Sequence, residues 1–150
     1  MSGLIRLPGI LACLSLAVLT QVAQAKEMVS VARPTINMRS GAGPKQAVRW
    51  ALSKGYPLEV TRRQGNWLKV RDFENDVGWV YRPSVNKTPH VIVKAGVANV
   101  RSVPSTRGRI VGKADYGEVM KSVEQRSQWV KVQRKSGVKG WISRSLLWGW

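Results

Sequence analysis

The sequence predicts an all-β protein, two small five-stranded barrels in tandem behind a cleaved N-terminal leader. Three observations lead there. A block of sequence repeats at a constant offset: Asn37 and Asn99, Trp67 and Trp129, and Gly78 and Gly140 are each 62 residues apart, with no insertion needed between them. Two copies, each long enough for a small domain, indicate a tandem pair and not a solenoid. Within each copy, apolar residues alternate over short runs separated by turn signals, and no stretch has helical period. Ahead of the repeat, residues 1–25 carry one charged side chain, Arg6, and end in Ala23-Gln24-Ala25.

The leader has a basic start, an apolar run from Leu7 to Val22 and a small-x-small end. That is the pattern of a secretory signal peptide cut after Ala25. A membrane anchor is the competing reading, but the run falls short of the roughly 20 apolar residues a span needs. Ile10-Leu11-Ala12-Cys13 resembles a lipoprotein acceptor site, yet the apolar run continues past Cys13, so lipidation is the lesser expectation. Cys13 is the single cysteine. A chain cut after Ala25 therefore has no thiol and no disulfide framework, and its stability must come from two small apolar cores.

The first barrel is expected over residues 26–86. Met28 to Val31 alternates as an opening strand, and Ile36 to Arg39 reads as a second that stops at Ser40-Gly41-Ala42-Gly43-Pro44. The glycines there permit positive φ and the proline fixes a turn. Val48, Trp50 and Leu52 alternate before Lys54-Gly55-Tyr56-Pro57 breaks the run; Leu58-Glu59-Val60 resumes it. Arg62 to Asn66 is a polar turn into Trp67-Leu68-Lys69-Val70, and Arg71 to Asp76 a second turn into Val77-Gly78-Trp79-Val80-Tyr81. A helical turn or a last short strand is expected at Arg82 to Val85. Residues 87–90 form a short linker that keeps the units close. Residues 91–150 repeat the scheme and end in Leu147-Trp148-Gly149-Trp150, a tail apolar enough that at least one tryptophan should fold back onto a barrel.

Strand alternation sorts the faces. Trp67 and Lys69 share one side and Leu68 and Val70 the other. Lysine belongs in water, so Leu68 and Val70 face the core and Trp67 sits at the boundary. Trp129 and Lys131 repeat this outside Val130 and Val132. Arg62 and Arg63 near Trp67, and Arg126 near Trp129, bring cations to a partly exposed ring, a pairing suited to a carboxylate-bearing peptide or a sugar face. The alternative is that both rings are core residues with capped indole edges. Trp79 and Trp141, each after a glycine inside a strand, are expected to be mostly buried.

Asn37-Met38-Arg39-Ser40-Gly41, Gly43-Pro44, Lys54-Gly55, Trp67-x-Lys69-Val70 and Gly78-Trp79-Val80 together resemble the bacterial SH3-like (SH3b) domain. Asn99-Val100-Arg101-Ser102, Gly117, Trp129-x-Lys131-Val132 and Gly140-Trp141-Ile142 repeat the resemblance, with Val103 where the family has glycine. It covers about residues 29 to 150 and is nearest to the tandem type found in secreted proteobacterial proteins. The resemblance implies a five-stranded barrel used for binding or targeting, often beside cell-wall hydrolases and in contact with peptidoglycan. The fold alone does not give the ligand.

Catalytic chemistry finds little to work with. His90 is the single histidine and is read as a solvated linker residue, with no acidic neighbour in sequence to orient it as a base. One histidine without cysteine cannot build a zinc site. Asp72, Glu74 and Asp76 form the densest acidic cluster, but they lie in a turn with Asn75 and have no acidic counterparts at Arg134, Ser136 and Val138. Turn chemistry explains them. There is no phosphate loop. The chain is therefore expected to be a non-enzyme with no cofactor and no metal.

Charge is the remaining signal. The whole chain has a formal net charge of +17. Residues 26–88 hold 12 basic and 5 acidic side chains, and residues 89–150 hold 12 and 3. That surplus serves solubility or attracts an anionic envelope polymer, and charge alone does not choose. The leading expectation is an exported, periplasmic or secreted tandem binding protein for peptidoglycan or another anionic envelope component. The candidate ligand-binding residues are Trp67, Lys69, Arg62, Arg63, Trp129, Lys131 and Arg126. A periplasmic protein adapter and a nonspecific binder of anionic polymers are the alternatives. Export argues against nucleic acid as the physiological partner, and no transmembrane segment is expected once the leader is removed.

Overall fold

The computed structural model describes residues 24–150. Most of the expected leader, with Cys13, lies outside the described residues. Among the described residues no helix is long and apolar enough to cross a membrane.

The first unit runs β1 (Met28–Val31), β2 (Thr35–Arg39), β3 (Val48–Ser53), β4 (Pro57–Gln64), β5 (Trp67–Arg71), β6 (Val77–Tyr81) and β7 (Val85–Asn86). The second runs β8 (His90–Val93), β9 (Val97–Arg101), β10 (Ile110–Asp115), β11 (Val119–Arg126), β12 (Trp129–Gln133), β13 (Lys139–Ser143) and β14 (Leu147–Gly149). Five longer strands per unit form the expected framework, and a short strand at either end completes it. After Tyr81 and Ser143 comes one 3-10 turn, Arg82–Ser84 and Arg144–Leu146, and then a short strand, so both expected endings occur together. The two sheets have the same antiparallel order, β3-β2-β6-β5-β4-β1-β7 and β10-β9-β13-β12-β11-β8-β14.

Alternation builds the two cores. Leu68, Val70 and Val80 turn inward with Val29, Val31, Met38 and Leu58. Val130, Val132 and Ile142 do the same with Val91, Val93, Val100 and Met120. The eight-residue strands β4 and β11 each carry a bulge, between Val60 and Arg62 and between Ser122 and Glu124. An extra residue at that point bends the strand and raises its twist, which lets one strand serve two parts of a wrapped sheet. Gly78 and Gly140 allow β6 and β13 to approach β2 and β9. A Cβ at either position would lie 3.0 Å from the carbonyl oxygen of Arg39 or Arg101 and would run into the Met38 or Val100 side chain.

The units touch. The tail folds back as expected: β14 pairs with β8, and the Trp150 indole Nε1 donates to Ser30 Oγ in the first unit at 3.3 Å. On another side Phe73 meets Tyr116, with ring centroids 5.3 Å apart. His90 is not the solvated linker residue the sequence suggests. It opens β8, is half-buried, and stacks on Gly55, where an added Cβ would lie 2.8 Å from its Cδ2. The reason is the shortness of the connection, which presses the first residue of one unit against a turn of the other.

Candidate functional site

The candidate site grows out of register. In antiparallel sheets, residues directly opposite each other share a face. Arg62 faces Lys69, Lys69 faces Trp79, and Trp79 faces Arg39 across β4, β5, β6 and β2. This row lies on the face away from the core. Trp79 is 9% exposed, so the sequence expectation of a mostly buried ring holds, but it is buried on the outer face and does not belong to the core cluster. The second unit repeats the row as Glu124, Lys131, Trp141 and Arg101. There the cations close over the ring. Arg126 Cζ lies 5.2 Å and Lys131 Nζ 5.8 Å from the Trp141 ring centroid, and Trp141 is 5% exposed. Cations within about 6 Å of an indole face are attracted by its quadrupole.

Trp67 is half-buried beside this row. Its cross-strand neighbours are Gln64 and Tyr81, and its ring lies 5.5 Å from that of Tyr81 at an interplanar angle of 50°. The pair opens onto a groove of about 480 Å³, completed by Arg33, Ile36, Asn37, Arg39 and Pro44. Arg39 also holds the adjoining loop, donating through Nη1 to the Gln46 carbonyl at 2.9 Å, as Arg101 does to Gly108 at 2.9 Å. Arg33 makes no ion pair among the described residues. The groove thus offers two aromatic rings and two guanidinium groups, Arg33 and Arg39, in one lining.

The expected site residues divide accordingly. Trp67, Lys69 and Arg62 share the outer face of the first unit, and Trp129, Lys131 and Arg126 that of the second. Arg63 is not brought to Trp67. It sits opposite Leu68 and is paired with Glu27, which also binds Lys87 Nζ at 3.0 Å. The hydrogen bond from Lys87 holds the Glu27 carboxyl below its usual range; burial opposes it, and the charges of Lys87 and Arg63 add to it. The two units also differ next to the ring: Ser143 stands opposite Trp129 where Tyr81 stands opposite Trp67. Sequence reasoning missed Tyr81, Arg33, Asn37 and Arg39. Tyr81 carried a usable signal, because centring the hairpin on the Asp72–Asp76 turn sets Trp67 against it.

The acidic cluster does turn chemistry. Asp72 Oδ1 accepts from the backbone N–H groups of Glu74 and Asp76 at 2.9 and 2.8 Å, and Tyr56 OH donates to Oδ2 at 3.4 Å. Burial pushes the Asp72 carboxyl up while those N–H donors pull it down. Burial and the same carboxylates raise the Tyr56 hydroxyl far above the usual phenol range. Among the described residues no group of three or more His, Cys, Asp or Glu is placed to hold a metal ion.

Two family models, each described as "Bacterial SH3 domain", match residues 32–87 and 96–147, together more than half of the chain. The chain belongs to the bacterial SH3 domain family. A curated Bacillus subtilis (strain 168) protein named "Putative N-acetylmuramoyl-L-alanine amidase YrvJ" is 22% identical over 135 residues, covering 83% of this chain. The chain spans about a quarter (26%) of that relative's length. Among solved structures, NlpC2 from Trichomonas vaginalis is 14% identical with a TM-score of 0.39, covering 85% of this chain and 49% of that one. An NlpC/P60 family protein from Bacillus cereus ATCC 10987 is 12% identical with a TM-score of 0.39, covering 81% and 56%. Superposition at that level is loose, and neither likeness speaks to the function of this tandem of bacterial SH3 domains.

Proposed function

We propose that this protein is an exported, non-catalytic binding protein of the cell envelope that grips peptidoglycan through its outer aromatic and basic faces, chiefly the Trp67–Tyr81 groove. The observation that carries the reading is the pair of partly exposed rings 5.5 Å apart above a groove that also holds Arg33 and Arg39. Aromatic faces suit the C–H faces of sugar rings, and a guanidinium suits the carboxylates of short peptides. A polymer that presents both groups side by side is peptidoglycan. The likeness to a protein named "Putative N-acetylmuramoyl-L-alanine amidase YrvJ" supports the reading, as does the basic surplus, which draws anionic polymers from a distance.

The outer face of the second unit, with Trp129, Lys131 and Arg126, is a weaker second contact. Two weak contacts on a short connection add through effective concentration. A periplasmic adapter would hold its partner through a barrel surface or through the tryptophan-rich tail, and of these the tail is engaged in β14 and at Ser30.

Co-sedimentation with purified sacculi tests the proposal. The intact protein should pellet at both low and high salt. Trp67→Ala should weaken pelleting more than Trp129→Ala, and the double variant should weaken it most. Retention that vanishes with salt and ignores both substitutions would instead mark a nonspecific binder of anionic polymers.

A further inference from the structure

A cleft of about 670 Å³ lies between the two units and shares no lining residue with the Trp67 groove. The first unit contributes Ser53, the last residue of β3, and Lys54 in the turn that follows. The second contributes His90 on β8, Lys121 on β11, and Arg134 and Lys135 after β12. Arg134 is already taken, donating through Nε and Nη2 to the Glu118 carboxylate at 2.8 and 3.0 Å. Lys54, Lys121 and Lys135 make no ion pair among the described residues. The cleft therefore gathers three uncompensated positive charges, of which Lys54 and Lys121 act on the His90 imidazole.

We propose that this cleft binds a phosphate group, held by Lys54, Lys121 and Lys135 with His90 at its edge. Two features select that chemistry. The only guanidinium lining the cleft is engaged by Glu118, so the free cations are lysines, point charges that suit a compact, doubly charged oxyanion without needing a planar two-point fit. His90 is oriented to help: Nδ1 lies 3.0 Å from the Thr88 carbonyl, so that nitrogen carries the proton and Nε2 is the one that gains a proton and becomes a donor. Burial, and then the charges of Lys121 and Lys54, hold His90 below the usual imidazole range, against the opposing pull of the Thr88 carbonyl. An anion among those lysines reverses their effect and raises it. The repeat makes the cleft asymmetric. Gly55 is covered by the His90 ring, whereas its counterpart Gly117, which lines the cleft, has open space where a side chain would go.

The single histidine makes the test clean, since one set of imidazole resonances reports on the site. His90 would be titrated by NMR in the full mature protein, in sodium chloride alone and with inorganic phosphate or glycerol phosphate added at the same ionic strength. Phosphate should raise the His90 midpoint by about half a unit or more over the chloride control. Lys54→Gln with Lys121→Gln should raise the midpoint without ligand and abolish the phosphate-dependent rise, while the rest of the spectrum keeps its dispersion. A larger response to glycerol phosphate assigns an esterified phosphate, and an equal or larger response to inorganic phosphate assigns the free ion. No rise beyond chloride, or a rise that survives in the double variant, overturns the proposal. Neither result depends on whether the Trp67 groove binds sacculi.

Discussion

Trp150 donates its indole N–H to Ser30 Oγ across 3.3 Å, so the last residue of the second unit satisfies a hydroxyl buried in the first strand of the first. Ser30 is 0% exposed, and a buried hydroxyl without a partner is costly. The contact joins residues at opposite ends of the tandem and makes the pair more than two barrels on a string.

Trp150→Phe removes that donor and keeps most of the ring. It should destabilise the protein by about 1 kcal/mol, since one hydrogen bond is lost and a buried acceptor is left dry. Thermal unfolding should show the loss as a lower midpoint. Ser30→Ala should cost less than Trp150→Phe, because it removes the buried hydroxyl along with its need for a partner. Equal, large losses from both would mean that packing and not this bond holds the tail.

Gly140→Ala should destabilise by roughly 1–3 kcal/mol, the usual range for overpacking a close-packed site. The new methyl has Val100 on one side and the Arg101 carbonyl 3.0 Å away on the other. Gly96→Ala, with nothing within 4 Å, is the control and should unfold within a degree or two of the parent. Thermal denaturation of the two variants side by side reads the difference directly.

Ser127 has φ 52 in the tight turn before β12, where the first unit has Gly65 at φ 56. A side chain in the left-handed region costs about 1 kcal/mol, which glycine avoids. Ser127→Gly should therefore raise the melting temperature by a few degrees, less the extra freedom glycine gives the unfolded chain. A lower melting temperature would show that the serine side chain contributes something the turn geometry does not reveal.

His90 links stability to pH. Its folded-state pKa is depressed, so the unfolded chain takes up the proton first and acid favours unfolding. The stability tied to neutral His90 is present above the unfolded value near 6.5 and is lost as pH falls through the lower folded value. Denaturation midpoints at successive pH values should show that decline, and His90→Gln should flatten it.

Much of this was within reach of the sequence because it depends on local alternation. Trp67-Leu68-Lys69-Val70 names its own inner and outer faces, and the 62-residue offset carries the assignment to Trp129-Val130-Lys131-Val132. The tail also declared itself through composition. What escaped was set by contacts between strands or between units. Arg63 reads as a neighbour of Trp67 until pairing sets it against Leu68 and near Glu27. Trp79 and Trp141 read as mostly buried and are, but nothing local says that they lie on the outer face or that Arg126 and Lys131 close over Trp141. His90 reads as linker because its environment is supplied by Gly55, in the other unit.

The most direct measurement is an NMR titration of the seven tryptophan indole N–H resonances with soluble peptidoglycan fragments carrying both sugar and peptide. The expected result is a saturable shift of the Trp67 indole, lost in Tyr81→Ala, with Trp148 and Trp150 unmoved. Saturable binding that leaves Trp67 in place, or no binding of the fragments by a folded protein, would contradict the assignment of that groove.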